Sequence, residues 1–147
     1  VLELLETVVG ERIWLSLMHS RIRKVYARHK GPYMPTTIDW HTDGSESVGY
    51  SNAYILWIPF RACSEKCQGV EFMLLDDVGN SEIFYPHLNV GDAVLFSDQV
   101  SHRTASRDTS KLDRLNAELR LFRDEDLFCG TSQKVSQTPF LNIAAFR

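Results

Sequence analysis

Along the first third of the chain, Leu2, Leu5, Val8, Val9, Ile13, Leu15 and Leu17 recur near a 3.6-residue period. That spacing predicts a helix over residues 2–19, which a following basic run can extend to about Arg28. "KGPYMP" then ends it, because Gly31, Pro32 and Pro35 break helices. From there the pattern becomes that of short strands. Residues 36–41 are β-branched and aromatic. Residues 53–60, "AYILWIPF", form an unbroken apolar run that needs cover on both faces. Further strands are expected at 70–75, 81–85, 93–98, 102–106 and 114–122, with turns at "DDVGN" (76–80) and "NVGD" (89–92) and a polar loop at 107–113. The tail, 124–147, reads as coil with one short helix and a weak final run, "FLNIAAF".

One helix followed by about seven short strands predicts a mainly β fold, a sandwich or barrel, with the helix packed outside a curved sheet. Strict alternation in the last strand points Arg114, Asn116, Glu118 and Arg120 inward. It leaves Leu115, Ala117, Leu119 and Leu121 to pack against the helix, unless a bulge resets the phase.

Composition narrows the function classes. The chain has 147 residues, the size of one ordinary domain. It divides into a helical region at 1–35, a β core at 36–122 and a tail at 123–147. Its net charge of −3 argues against a nucleic-acid or anionic-membrane binder. The local run Arg21, Arg23, Lys24, Arg28 and Lys30 reads as a solvated helix end. No run approaches the roughly 18 apolar residues of a membrane span, and Glu3, Glu6, Glu11 and Arg12 interrupt any secretory signal pattern. Cys63, Cys67 and Cys129 are an odd set without a zinc-site spacing, so reduced structural thiols and a cytoplasmic location are expected.

The chemistry lies in "WHTDG" and "SHRT". On a strand, His41 and Asp43 point to the same side and can aim at one atom. His102, on the end of a later strand, supplies a third donor. Two imidazoles and a carboxylate on one face of a metal leave three positions open, which suits non-haem Fe(II) and does not suit a closed structural zinc site. Twelve residues on, Arg114 begins the next strand and can return beside His102, where its guanidinium could clasp a carboxylate in two parallel bonds. Thr104 shares the face of His102 and could support the same carboxylate. Arg120 and Arg107 are the alternatives to Arg114. His19, His29 and His87 read as surface or helix-end histidines, Trp14 and Trp40 as core or rim aromatics, and Glu71 as a satisfied or outward carboxylate. Asp98 could orient a ligand.

Taken together and in this order, "WHTDG", "AYILWIPF", "CQGVEFML", "VGDAVLFSDQVSHRT" and the arginine of "RLNAELRLF" resemble the Fe(II)/2-oxoglutarate-dependent dioxygenases, nearest to the phytanoyl-CoA dioxygenase-like group. The resemblance spans about residues 36–122. It implies a double-stranded β-helix, a cupin-like jelly roll, with His41, Asp43 and His102 as iron ligands. It also implies Arg114 and Thr104 on the distal carboxylate of 2-oxoglutarate and Trp57 as an aromatic beside the cosubstrate. The implied cofactor and cosubstrates are Fe(II), 2-oxoglutarate and O2. The implied reaction is hydroxylation of an unactivated C–H in a small-molecule substrate, with release of succinate and CO2. A related halogenase would carry Gly or Ala where Asp43 stands. The rival expectations are a cupin-like metalloenzyme that does not use 2-oxoglutarate and a catalytically silent jelly-roll binding module.

Overall fold

The N-terminal helix is shorter than its periodicity predicts, and the reason is local. In the computed structural model, which describes residues 2–27, 39–44, 52–63, 67–75, 78–105, 112–123 and 140–142, α1 covers Leu2–Val9. Gly10 closes it with φ +87° and donates its N–H to the Glu6 carbonyl at 2.9 Å. Residues Ile13–Val25, expected to continue the helix, form the long strand β1. Ile13, Leu15 and Leu17 fit a two-residue alternation as well as a helical period. Pairing with a neighbouring strand decides between the two.

The remaining strands are β2 (Tyr54–Pro59), β3 (Val70–Leu75), β4 (Ser81–Phe84), β5 (Val94–Ser97), β6 (His102–Thr104), β7 (Arg114–Arg123) and β8 (Phe140–Asn142). They make two sheets with antiparallel neighbours, ordered β5-β2-β7-β1-β8 and β4-β3-β6. The fold is mainly β, consistent with a jelly-roll or cupin-like architecture. Strands β2 to β7 lie within a residue or two of the sequence expectation. Strand β8 is a correction to the expected coil and helix: it pairs with β1, Ser16 opposite Phe140 and Trp14 opposite Asn142.

"AYILWIPF" is covered on both faces, as its apolar run requires. Ile55 and Trp57 join Val70, Phe72, Phe96 and Cys63 in the core between the sheets. Leu56 turns the other way and packs with Leu5 of α1, Ile13 and Leu121; Tyr54, Ile58, Leu95, Leu119 and Val9 complete that layer. The helix therefore covers the outside of the five-stranded sheet. Each fully buried Leu or Ile there is worth about 1.5–3 kcal/mol relative to exposure.

The β2–β7 register runs without interruption from Tyr54 opposite Leu121 to Pro59 opposite Asn116. No bulge resets β7, and Arg114, Asn116, Glu118 and Arg120 are all buried on its inner face. The bulge is in β1. Ser16 pairs with Arg120 and Arg21 with Glu118, so five steps on β1 match two on β7. The Ser20 hydroxyl donates to the Ser16 carbonyl at 2.6 Å and accepts the Arg120 N–H at 3.0 Å, which knits the extra residues to β7. His19, expected at a surface or helix end, sits in this bulge with Nδ1 2.8 Å from the Ser16 hydroxyl. Bulges reverse which side chains face a given side. Ile13 and Leu15 face α1, whereas beyond the bulge Arg21, Arg23 and Val25 stand opposite the buried residues Glu118, Asn116 and Arg114.

Among the described residues no helix is long and apolar enough to cross a membrane.

Candidate metal centre

His102 opens β6 and pairs with His41 through two backbone hydrogen bonds, His41 N–H to the His102 carbonyl at 3.1 Å and His102 N–H to the His41 carbonyl at 2.9 Å. This isolated bridge, rather than a full strand, places His41. Of the strand expected at 36–41, residues 36–38 lie outside the described residues. Asp43 is placed differently again. Its N–H and that of Gly44 both donate to the Asp98 carbonyl at 3.0 Å. A Cβ on Gly44 would fall 2.2 Å from Gln99 Nε2 and 2.7 Å from the Asp98 carboxylate, so only glycine fits this approach. Asp98 does orient a site residue, but through its carbonyl. Its carboxylate is spent on the Ala53 N–H at 3.0 Å and on Gln99 Nε2 at 3.2 Å.

The result is a convergence of donor atoms. His41, Asp43 and His102 each offer one atom within 4.8 Å of the others. His41 Nε2 is 3.8 Å from Asp43 Oδ1, and His102 Nε2 is 3.7 Å from Asp43 Oδ2. Both rings turn Nδ1 toward a backbone carbonyl, Asp39 for His41 and Val100 for His102, each at 2.9 Å. A carbonyl can only accept, so Nδ1 carries the proton in both rings and Nε2 keeps its lone pair for the centre. Burial pushes the His102 pKa below its ordinary value, although the Val100 hydrogen bond and Asp43 pull it upward. The ring therefore favours the neutral form that a metal requires. A donor set of two imidazoles and one carboxylate fits Fe(II).

Arg120, considered from sequence as a carboxylate clamp, instead reaches Asp43: its Nη2 hydrogen-bonds Oδ2. Only 1% of this residue is exposed. The contact fixes one of the two Asp43 oxygens.

Beside the three donors lies a pocket lined by Trp57, Thr104 and Arg114. Arg114 is 2% exposed. It donates from Nε to Asn116 at 2.9 Å and from Nη1 to the Gly69 carbonyl at 2.8 Å and the Thr104 hydroxyl at 3.4 Å. Its guanidinium carbon sits 5.5 Å from the Trp57 ring centre. None of its hydrogen bonds among the described residues uses Nη2. Burial lowers its pKa to about 10, so it remains a cation at neutral pH. Asn116 lies behind the wall, bridging Arg114 to Glu118.

The basic run holds the principal correction. Arg21 and Arg23 do not decorate a helix end; they line this pocket from β1. Arg21 Nε is 2.6 Å and Arg23 Nε 3.5 Å from the Glu118 carboxylate. An R-x-R alternation opposite the N-x-E of β7 was the available signal, but it is legible only once β1 is read as a strand. Arg28 and Lys30 lie outside the described residues, as do His29 and Arg107. Lys24 points elsewhere, 3.4 Å from Asp113. Arg103 also lines the pocket, paired with Glu71 at 2.9 Å and lying over Trp40 at 4.3 Å. Glu71 is thus a satisfied carboxylate, as expected. Cys63 and Cys67 are buried free thiols. Burial raises Cys63 to about 11 and also raises Cys67, so both are protonated. Cys129 lies outside the described residues.

No protein-family model matches the chain, and no curated protein matches it. Solved structures do. The non-heme alpha ketoglutarate dependent epimerase SnoN from nogalamycin biosynthesis superposes with a TM-score of 0.63 at 14% identity, over 83% of this chain and 52% of that one. The same epimerase in complex with Fe3+, alpha ketoglutarate and nogalamycin RO matches with a TM-score of 0.63. The non-heme monooxygenase ThoJ, as its Ni complex, gives 0.61 at 12% identity over 83% of this chain and 49% of its own. The chain spans about half the length of these proteins. At such identities the likeness establishes a shared fold: this chain has the β fold on which these non-heme enzymes are built.

Proposed function

We propose that the chain is an Fe(II)/2-oxoglutarate-dependent oxygenase with a double-stranded β-helix fold, nearest to the phytanoyl-CoA dioxygenase-like group, that hydroxylates an unactivated C–H of a small organic substrate. The observation that carries this reading is the arrangement at His41, Asp43 and His102. Both imidazoles are held by carbonyls at Nδ1 with Nε2 turned to one carboxylate. That geometry is hard to account for as packing alone. The shared fold with SnoN and ThoJ supports it.

In this reading His41, Asp43 and His102 hold Fe(II). Arg114 takes the distal carboxylate of 2-oxoglutarate, with Thr104 beside it and Trp57 as an apolar wall. Bound iron with 2-oxoglutarate supplies the oxidising power, consuming O2 and releasing succinate and CO2. The protein orients and excludes. The Val100 and Asp39 carbonyls fix the ring tautomers, and Arg120 holds one Asp43 oxygen in place. Phe72 and Phe96, whose ring centres lie 6.3 and 5.0 Å from that of His102, keep water from one side. A carboxylate clamp beside the triad favours 2-oxoglutarate over cupin chemistry that needs no such cosubstrate.

The test is metal analysis of the purified chain, then succinate release dependent on both 2-oxoglutarate and O2, with product structure determined by mass spectrometry and NMR. Absence of 2-oxoglutarate binding to the Fe(II)-loaded chain would remove the reading. An epimerised or chlorinated product would keep the cosubstrate and overturn hydroxylation.

A further inference from the structure

Strand β7 carries two buried arginines on one face, Arg114 and Arg120. They stand at opposite ends of the strand, roughly 20 Å apart along an extended chain. They therefore meet different groups. Arg114 borders the pocket with Thr104 and Trp57, whereas Arg120 reaches Asp43. Of this last pair, Arg120 is the fixed member. It lies on a strand paired on both sides, opposite Ser16 of β1 and Ile55 of β2, and its N–H donates to the Ser20 hydroxyl at 3.0 Å. Asp43 lies outside the named strands, its backbone held by the Asp98 carbonyl at 3.0 Å. The arginine thus aims the carboxylate, and not the reverse.

The two Asp43 oxygens have different neighbours. Oδ1 is 3.8 Å from His41 Nε2. Oδ2 is 3.7 Å from His102 Nε2 and accepts the hydrogen bond from Arg120 Nη2. By reach alone, a metal between the imidazoles could take either oxygen or both. Charge decides between these modes. A guanidinium and a divalent cation on the same oxygen would repel each other at short range. On separate oxygens the carboxylate stands between them, and its lone pairs suffice for both. With Oδ2 committed to Arg120, Oδ1 is the oxygen left for the metal.

We propose that Arg120 is a positioning residue that restricts Asp43 to a single metal-binding oxygen, Oδ1, and so keeps one coordination position of the metal open. The inference deepens the oxygenase reading and rests on it for the identity of metal and cosubstrate. An octahedral metal held by two imidazoles and one carboxylate oxygen retains three open positions. Held by both Asp43 oxygens, it would retain two. A 2-oxo acid that chelates takes two positions in that reading. The position protected by Arg120 is therefore the one left over once the cosubstrate has bound. Arg120 needs no contact with cosubstrate or substrate for this task; it acts through Asp43.

The experiment loads the full chain with Mn(II), an octahedral stand-in for Fe(II), and counts its exchangeable waters from the relaxation of bulk-water protons, with and without 2-oxoglutarate. The parent should hold three waters, falling to one when 2-oxoglutarate binds. Arg120→Met removes the donor and keeps an unbranched apolar stem. It should hold two waters, falling to none, with Mn(II) still bound at one per chain. Arg120→Lys restores a cation beside Oδ2 and should return the parent's counts. The proposal is overturned if Arg120→Met counts waters like the parent, or if Arg120→Lys counts like Arg120→Met. It is also overturned if Arg120→Met folds but takes no metal, which would make the arginine a prop for the whole site. Should Arg120→Met not fold, the parent decides: with Zn(II) bound, the Arg120 Nη–H protons should stay hydrogen-bonded and slow to exchange by NMR. Their release on metal binding would show that the metal takes Oδ2 and displaces the guanidinium. If the parent binds Mn(II) but no 2-oxoglutarate, the oxygenase reading fails, and the counts of three and two still decide the role of Arg120.

Discussion

The two faces of β7 are buried unevenly, the polar one more completely than the apolar one, and serve opposite ends. Toward α1 it presents Leu119 and Leu121, packed with Leu5, Ile13 and Leu56. Toward the pocket it presents Arg114, Asn116, Glu118 and Arg120, none more than 6% exposed. The apolar face contributes stability in proportion to the area it removes from water. The polar face is costly: every cation taken from water loses hydration that its partner only partly restores. Its members hold each other in a chain, Arg114 to Asn116 to Glu118, with Arg120 reaching across to Asp43. The strand thus separates into a face that holds the fold and a face that holds the site.

That separation can be broken most sharply at the donors. His102→Ala should abolish stoichiometric Fe(II) binding and succinate release while leaving a cooperative thermal transition. Metal titration and calorimetry on the same sample read both, and retained metal at one per chain would sink the triad. Next, Leu121→Ala should destabilise the chain by about 2–5 kcal/mol, read by urea denaturation. Metal and 2-oxoglutarate affinity of the folded protein should be unchanged, and a selective loss of either would erase the distinction between the faces. Third, Arg114→Lys keeps a cation but loses the planar fork. Removal of one charge-assisted bond, roughly 1.5–3 kcal/mol, should weaken 2-oxoglutarate by about 10- to 100-fold. The charge-transfer band of the Fe(II) complex under anaerobic conditions reads this, with Fe(II) affinity as the control that should not move.

A smaller effect sharpens the comparison through pH. Burial pushes the Glu118 carboxyl up, but Arg23 and Arg21 more than reverse this and leave it below its ordinary value of 4.5. A carboxyl depressed in the folded state favours folding above its unfolded value, and that contribution is lost as pH falls through the folded value. The stability gap between the parent and Glu118→Gln should therefore be widest near neutrality and shrink below about pH 4. A gap independent of pH would show that Glu118 acts by shape alone. Smallest of all, alkylation of Cys63 should be slow at neutral pH, since burial holds its thiol at about 11. Rapid labelling in the folded chain would contradict its place in the core between the sheets.

Much of the site is legible in one dimension because its signals are local or nearly so. His41 and Asp43 are two residues apart, and Thr104 is two from His102. Arg114 returns to the same pocket, and the structure brings these side chains together. The polar alternation of β7 is likewise visible, but of its four apolar residues only Leu119 and Leu121 join the layer under the N-terminal helix, and Leu115 is 41% exposed. Less legible are the features that depend on a partner distant in the chain. The Asp98 carbonyl, which places Asp43 and Gly44, belongs to the backbone and leaves no trace in residue type.

The same division marks what each level decides. Sequence alone determines which segments must be buried and which residue types can hold a metal, because hydrophobicity, donor chemistry and short spacings are properties of the residues themselves. It does not determine where α1 stops: the helical period runs past Gly10, and only the structure shows the left-handed turn that ends the helix there. Only the tertiary structure decides that residues 13–25 are a strand, because their pattern satisfies both periods and pairing with β7 supplies the hydrogen bonds that choose. The bulge is decided at that level too, by the register it must keep with β7 on both sides of Ser16 and Arg21. From that register follows the inward turn of Arg21 and Arg23: a strand's sidedness is relative, and nothing within a strand says which side will become the pocket.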